Sequence, residues 1–186
     1  MKKNLIVFLI INLYVQISFA KDIVVDALKN KKEISEIKEA TKELNEKVYV
    51  DTSKIVKVKT VNDKFYIVPV IKFGGGVRSG CYIQKLNSHY ELEEFIPVGV
   101  IEGKACYGII SIYSCNHKDD TGIGIISDMK FGANNFHPQG AFLDIDVVSQ
   151  VSLNPELSSK IQVAPTASEA KKCWAVINSK MLRCDK

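Results

Sequence analysis

The chain has 186 residues, and its 25 lysine and arginine side chains against 21 acidic ones give a formal charge of +4. The first 20 residues are predicted to be a cleaved leader. The remaining 166 residues are a length typical of one domain with a hydrophobic core. Both lysines of the leader are lost, so the mature charge falls to +2. So small a net charge gives no support for nucleic-acid binding or for a strongly basic membrane-binding surface.

The first twenty residues have the order of a secretory signal peptide. Lys2 and Lys3 form a positive start, an apolar stretch runs from Leu5 to Val15, and Ser18-Phe19-Ala20 supplies the small residues of a cleavage site. The apolar stretch is shorter than the about 20 residues of an ordinary membrane span. The sequence therefore predicts cleavage before Lys21, export to the periplasm or the medium, and no stable membrane span in the mature chain.

Residues 22–48 are predicted to form an amphipathic helix. Steps of four and three residues from Ile23 fall mostly on aliphatic side chains, and lysine and glutamate fill the positions between them. The favoured interpretation is a helix that packs on the protein's own sheet, because Asn30 and Thr41 interrupt the apolar stripe. The alternative is a partner-binding helix, whose contact residues would be Ile34, Ile37, Leu44 and Val48.

From Tyr49 onward the pattern changes to short runs of β-branched and aromatic residues. Residues 54–61 and 64–72 flank Asn62-Asp63, which predicts a β-hairpin with a two-residue loop. Pro69 cannot donate to a ladder, so it is expected to place the second strand at an edge or to end its pairing. Further strands are predicted at residues 81–86, 90–95, 104–113, 122–127 and 141–151.

A carboxyl-terminal helix is predicted after Pro165. Thr166 and Glu169 have the spacing of a capping box, and apolar residues then recur on one helical face, at Ala170, Cys173, Trp174, Ile177 and Met181. The order of helix, antiparallel strands and helix predicts a single exported α+β domain over residues 21–186. Its antiparallel β-sheet is expected to have about five to seven strands and to be stabilised by disulfides.

All five cysteines lie in the exported part, where an oxidising environment favours disulfides: Cys81, Cys106, Cys115, Cys173 and Cys184. An odd number leaves one thiol over. A strand from Cys106 to Cys115 would hold these two about 30 Å apart, so Cys106 is expected to pair elsewhere, and Cys81 is the favoured partner. We predict a second bridge between Cys173 and Cys184, with Cys115 free and able to link a dimer.

The second bridge sets a condition on the last helix. Eleven helical residues would separate Cys173 from Cys184 by about 16 Å, whereas bridged Cα atoms lie about 4.4–6.8 Å apart. The bridge therefore requires the helix to stop early and the chain to fold back, and Asn178-Ser179 is the expected stop.

Four motifs have the residue types of a chemical site, and each has a simpler structural interpretation. Residues 73–80, rich in glycine, lack the spacing of a phosphate-binding loop. Asp120-Thr121-Gly122 matches the aspartic-protease tripeptide but follows a polar segment. Asp144 and Asp146 share one face of a predicted strand, which is typical of a wet face. Cys115-Asn116-His117 lacks the paired spacing of a zinc site, so neither a metal nor a cofactor is predicted.

The sequence favours an exported, non-enzymatic protein that binds or assembles with a protein partner in the cell envelope or surface apparatus. One alternative is a small secreted hydrolase, with Cys81 as the nucleophile and His89 or His117 as its base. Another is an inhibitor or immunity protein for an exported toxin, for which the sequence carries no distinguishing mark.

Overall fold

The computed structural model describes residues 23–44, 47–73, 79–99, 104–116, 121–130, 136–146, 149–163, 173–177 and 180–183. The predicted signal peptide, residues 1–20, lies outside this described part. In chain order the elements are β1 (Val24–Ala27), α1 (Lys31–Leu44), β2 (Val48–Val50), a 3-10 helix (Thr52–Lys54), β3 (Val56–Lys59), β4 (Lys64–Phe73), β5 (Ser79–Leu86), β6 (Leu92–Gly99), β7 (Ala105–Asn116), β8 (Thr121–Lys130), β9 (Phe136–Ile145), β10 (Val151–Leu153), α2 (Pro155–Lys160), β11 (Ile161–Val163), β12 (Cys173–Ile177) and β13 (Lys180–Arg183).

Six strands form the first antiparallel sheet, sheet A, in the order β1-β3-β4-β5-β6 with β2 also paired to β4. The predicted hairpin is confirmed, since Lys59 of β3 pairs with Lys64 of β4. Its loop has four residues rather than two. Thr60 N–H donates to the Asp63 carbonyl at 2.9 Å, and Asp63 N–H donates back to Thr60 Oγ1 at 2.9 Å.

The expectation for Pro69 is wrong, because β4 is an interior strand and continues past this residue. β3 pairs with β4 as far as Ile67, and β2 pairs with it from Val70 onward. Pro69 lies in the gap between these partners, where its carbonyl accepts from Asp51 N–H at 3.1 Å. A missing N–H at this gap removes no ladder bond, which is why proline is tolerated in the middle of the sheet.

Four strands form the second antiparallel sheet, sheet B, in the order β10-β9-β8-β7. Strand β6 contacts β8, β9 and β10 in turn, while β7 contacts β5, β4 and β1. The strands of the two sheets therefore cross rather than run side by side. Apolar side chains of both sheets fill the space between them, among them Val58, Phe65, Ile67 and Ile83 from sheet A and Ile109, Ile123, Ile125 and Leu143 from sheet B.

The outer face of sheet B carries the carboxyl-terminal elements. Ile126 and Phe142 are buried on this face. α2 and β11 contact β9, and β12 contacts both α2 and β8. Strands β11, β12 and β13 form a small third sheet.

The predicted α+β layout is wrong, because the described part of the chain is mostly strand and α1 is its only helix longer than six residues. Residues 24–27 and 48–50 of the predicted first helix are strands that pair with β3 and β4. The helix begins only after Asn30, whose Oδ1 accepts the N–H groups of Lys32 and Glu33 as an N-cap.

The predicted carboxyl-terminal helix is also wrong. Residues 173–177 and 180–183 form the antiparallel hairpin β12–β13. Trp174, Val176 and Ile177 are residues that favour strands. In so short a run, their spacing fits the periodicity of a helix as well as that of a strand. The predicted cap residues Thr166 and Glu169 lie outside the described residues.

Helix α1 packs on the outer face of sheet A. Ile37 is fully buried there, in a second core cluster with Ile55, Tyr66, Val68, Val70 and Leu86. Of the other predicted partner-contact residues, Ile34 is half-buried, Leu44 ends the helix, and Val48 belongs to β2 and packs against the same cluster. These four residues therefore do not form one exposed helical stripe, and the partner-binding interpretation of the helix is not kept.

Glu33 ties α1 to sheet A. Its Oε1 accepts from Lys57 Nζ at 2.7 Å and from the Tyr66 hydroxyl at 2.8 Å. The hydrogen bond from Lys57, with that from Tyr66, holds the pKa of Glu33 below its usual value. Burial, assisted by the bond to Glu33, raises the pKa of Tyr66. Tyr90 lies against Tyr66 with ring centroids 5.3 Å apart, and burial raises its pKa as well.

Replacing Glu33 by glutamine should make the protein less sensitive to acid. A carboxyl group whose pKa is lowered on folding stabilises the protein at pH values above its ordinary pKa of 4.5. This stability is lost as the pH falls through the pKa of the folded state. We expect the free energy of unfolding of the wild type to fall more steeply than that of Glu33→Gln between about pH 5 and about pH 3, as measured by urea unfolding. Glu39→Gln, which removes an exposed pair with Lys42 on the same helix, should keep the wild-type slope. A wild-type slope in Glu33→Gln would contradict this assignment.

Candidate functional site

An open cleft with a volume of about 710 Å³ lies where the two sheets meet at one end of the sandwich. Asp63 reaches it from the β3–β4 turn, Lys85 from β5, and the neighbouring residues Glu93 and Glu94 from β6. The start of β10 forms the opposite wall, with Gln150, Val151 and Ser152. We call this feature the acidic cleft.

Lys85 is the centre of the acidic cleft. The residue is only 5% exposed, because its stem runs along the core and its ammonium lies 5.0 Å above the Phe65 ring. Its Nζ is 2.8 Å from Glu93 Oε2 and 3.4 Å from Glu94 Oε1. The buried cation is therefore held by two carboxylates, as a buried charge requires.

A bulge in β6 brings both carboxylates to the same cation. Successive side chains of a regular strand point to opposite faces, so Glu93 and Glu94 would normally be separated. Here Lys85 pairs with Glu94 and Leu86 pairs with Leu92, which leaves Glu93 as the extra residue. The irregular register turns Glu93 toward Lys85 as well.

The acidic cleft is also where the sheets are joined by polar contacts. Glu94 Oε1 accepts from the Val151 N–H of β10 at 3.3 Å, so one carboxylate contacts elements of both sheets. Nearby, the hydroxyls of Thr60 and Ser149 lie 2.9 Å apart. These bonds fix the walls of the cleft relative to each other.

The charges of the acidic cleft do not balance. Lys85 offsets one of the carboxylates of Asp63, Glu93 and Glu94, so the lining has a formal charge of −2. An open concave surface of one sign concentrates ligands of the opposite sign. Among the described residues, the lining includes neither a histidine nor a cysteine.

Cys81 and Cys106 are joined as a disulfide, with their Cα atoms 5.5 Å apart, and this geometry agrees with the predicted pairing. The bond links β5 of sheet A to β7 of sheet B, and both cysteines are buried. A bonded sulfur cannot act as a thiolate, and His89 is exposed beyond the far end of β5. The hydrolase hypothesis therefore loses its nucleophile.

Asp144, in β9, and Asp146, just after it, both have structural partners. Asp144 accepts from Asn154 Nδ2 at 2.8 Å. Asp146 Oδ1 accepts from Gln150 N–H at 2.8 Å, which closes the β9–β10 turn. Each carboxylate is used locally, and within the described residues no group of three histidine, cysteine, aspartate or glutamate side chains is arranged to hold a metal ion.

The glycine of the protease-like tripeptide has a packing role. A Cβ at Gly122 would lie 2.7 Å from the ring of Phe142, so glycine is needed for the close approach of β8 and β9. Asp120 and His117 lie outside the described residues.

The remaining cysteines are placed only in part. Cys115 lies in β7 and Cys173 in β12, while Cys184 lies outside the described residues. β12 and β13 fold back on each other as the second bridge requires, with Trp174 opposite Arg183. Because Cys184 lies outside the described residues, the second bridge stays a prediction.

The sequence interpretation missed Lys85, Glu93 and Glu94. The available signal is a lysine inside the apolar strand Cys81–Leu86, since a buried lysine needs a carboxylate partner. Nothing in the sequence identifies which carboxylates supply it.

The fold defines the class of this protein as an antiparallel β-sandwich with crossed sheets, a helix on one outer face and a disulfide between the sheets. Comparison of the chain with protein-family models, curated protein sequences and solved structures finds no match. Among the described residues, no helix has the length and apolar character to cross a membrane.

Proposed function

We propose that the mature chain is an exported, non-enzymatic binding protein of the cell envelope that holds a basic segment of a partner protein in the acidic cleft. The observation that carries the proposal is the uncompensated charge of −2 on an open, polar wall built by both sheets. Lysine or arginine side chains of a partner are the groups that such a surface attracts.

The carboxylates of the acidic cleft are organised before any ligand arrives. Glu93 and Glu94 are held by Lys85, and Glu94 is held also by the Val151 N–H. A ligand then has fewer side chains to order on binding, which favours affinity. Asp63 projects from a turn whose backbone is fixed by Thr60, so it adds a charge at a defined position on the rim.

Export is supported by the predicted signal peptide and by the Cys81–Cys106 bond, which suits an oxidising compartment. A binding role is favoured over hydrolysis because three of the residues that the sequence offered for catalysis have structural partners. Cys81 is in the disulfide, and Asp144 and Asp146 hold Asn154 and the β9–β10 turn.

Neutralising the acidic cleft should weaken the binding of basic peptides. The variant Asp63→Asn/Glu93→Gln removes two negative charges and leaves Glu94 paired with Lys85. We expect short arginine-rich peptides to bind this variant about tenfold more weakly than the wild type, which corresponds to about 1.4 kcal/mol. Calorimetric titration of the mature protein measures the affinity, and added salt should weaken wild-type binding.

The matched control is Asp26→Asn/Glu39→Gln, which makes the same change in net charge at exposed residues of β1 and α1. It should bind the peptides as the wild type does. Equal weakening in both variants, or no binding to the wild type, would contradict the proposed function.

A further inference from the structure

We infer that β7 is the contact edge of a homodimer, in which the β7 strands of two copies pair antiparallel and join their B sheets. This inference is independent of the acidic cleft, which lies at the other end of the strand order of sheet B, beside β10. It rests on three features: the unprotected edge of β7, the exposed apolar surface beside it and the lack of charged residues in both.

β7 differs from the other sheet edges. Natural proteins protect edge strands with short length, charge, proline or bulges. β10 has three residues. β1 has four, and its Asp26 pairs with Lys59 of β3. β6 includes Glu93, Glu94 and Pro97. β7 has twelve residues and includes neither a charged residue nor a proline.

The unprotected part of β7 is its second half. The register of β7 with β8 shifts twice in the first half, between Cys106 and Gly108 and between Ile109 and Ser111. From Ser111 to Asn116 every residue pairs regularly with β8. No strand in the described part of the chain pairs with the opposite side of β7, so these six residues form a straight edge on which a further strand can pair.

An apolar shoulder of sheet A lies beside this edge. Tyr49 pairs with Ile71, and Phe73 follows two residues later on the same face of β4. Tyr49 is 57% and Phe73 53% exposed. Ile71 also pairs with Cys81, whose disulfide fixes the start of β7 over this part of sheet A.

The crossing of the two sheets sets the direction in which sheet B would grow. β10 contacts the Glu94 end of β6, whereas β7 lies over the Cys81 end of β5. The direction from β10 to β7 thus follows β5 from Lys85 toward Cys81. Beyond Cys81 it reaches Ser79, which pairs with Phe73. In a twofold pair, the β7 strand of the second copy carries its own sheet A on the same side. The exposed shoulders of the two copies would therefore meet beside the joined edges and bury each other.

A second copy fits this edge because the edge is neutral. In a twofold antiparallel pair each residue of β7 faces β7 of the other copy, so any charge on the edge would face a like charge. β7, Tyr49 and Phe73 carry no charge, and the mature chain has a net charge of only +2. The paired edges would form one continuous eight-stranded sheet from two four-stranded ones.

The test is the mass of the mature protein in solution, measured by light scattering after size exclusion in a Cys115→Ser background, which removes any cysteine-linked dimer. We expect a dimer, and we expect Tyr49→Glu/Phe73→Glu to shift the protein to monomer. Val61→Glu introduces the same kind of charge at a residue that is 81% exposed in the β3–β4 turn, and it should remain dimeric.

Hydrogen exchange gives a second readout that needs no variant of the shoulder. The amides of residues 111–116 should be better protected at high than at low protein concentration. A monomer at the highest soluble concentration, or protection that does not depend on concentration, would overturn the homodimer. So would protection of these amides only after another protein is added.

Discussion

Replacing Lys85 by methionine should lower the free energy of unfolding by about 2–3 kcal/mol. Methionine keeps an apolar stem against Phe65 but removes the ammonium that lies between Glu93 and Glu94. The two carboxylates are then left beside each other without a cation. Because both are partly exposed, water screens some of their repulsion, and the expected loss is below that of a fully buried pair.

Urea unfolding at neutral pH measures this loss against a matched substitution. Lys59→Met breaks the exposed 3.9 Å pair with Asp26 and should cost less than about 1 kcal/mol. Adding Glu93→Gln and Glu94→Gln to Lys85→Met should recover much of the stability, since the uncompensated charges are gone. A loss in Lys85→Met no larger than that in Lys59→Met would contradict the role given to this lysine.

Opening the bond between Cys81 and Cys106 should lower the free energy of unfolding by about 3–4 kcal/mol. The two cysteines are 25 residues apart, and a cross-link over a loop of that length restricts the unfolded chain by about this amount. The bond also joins sheet A to sheet B, so its loss should increase hydrogen exchange in β7 before it does so in β4.

The variant for this measurement is Cys81→Ala/Cys106→Ala, which leaves no unpaired hydroxyl in the core. Urea unfolding without reductant compares it with the wild type. Reduction of the wild type would also open the predicted Cys173–Cys184 bond, so its loss of stability should be at least as large. Cys115→Ala, at the cysteine predicted to be free, is the control and should change stability little. Equal stability of the double variant and the wild type would contradict a bond between these residues.

Most strands of the core were predictable because they have local signals, although the single strand predicted at residues 141–151 is divided between β9 and β10. The β3–β4 hairpin follows from β-branched runs on both sides of Asn62-Asp63. Distance excluded Cys115 as the partner of Cys106, since a strand holds the two far apart, and β7 does contain both; Cys81 was the favoured choice among the others. Local pattern and simple geometry were sufficient in these cases.

The first helix was over-extended because its ends depend on distant partners. Ala27 lies on the predicted helical stripe, yet it pairs with Val56 of β3. Val48 likewise pairs with Lys72. A helical stripe cannot show that a strand more than twenty residues away offers a better partner, so tertiary pairing decided these boundaries.

The acidic cleft was not predictable because it depends on an irregularity. Glu93 and Glu94 are adjacent, and in a regular strand their side chains would lie on opposite faces. Only the shifted register beside Lys85 brings them together. The opposite wall comes from Val151, which is 57 residues from Glu94, and no local pattern relates the two.

Mass mapping of the purified mature protein under non-reducing conditions tests the central claim, an exported β-sandwich whose sheets are joined by a disulfide. We expect an amino terminus at Lys21, a linked peptide pair containing Cys81 and Cys106, a second pair containing Cys173 and Cys184, and an alkylated Cys115. An amino terminus at Met1, or a Cys81 that is free or linked to another cysteine, would contradict it.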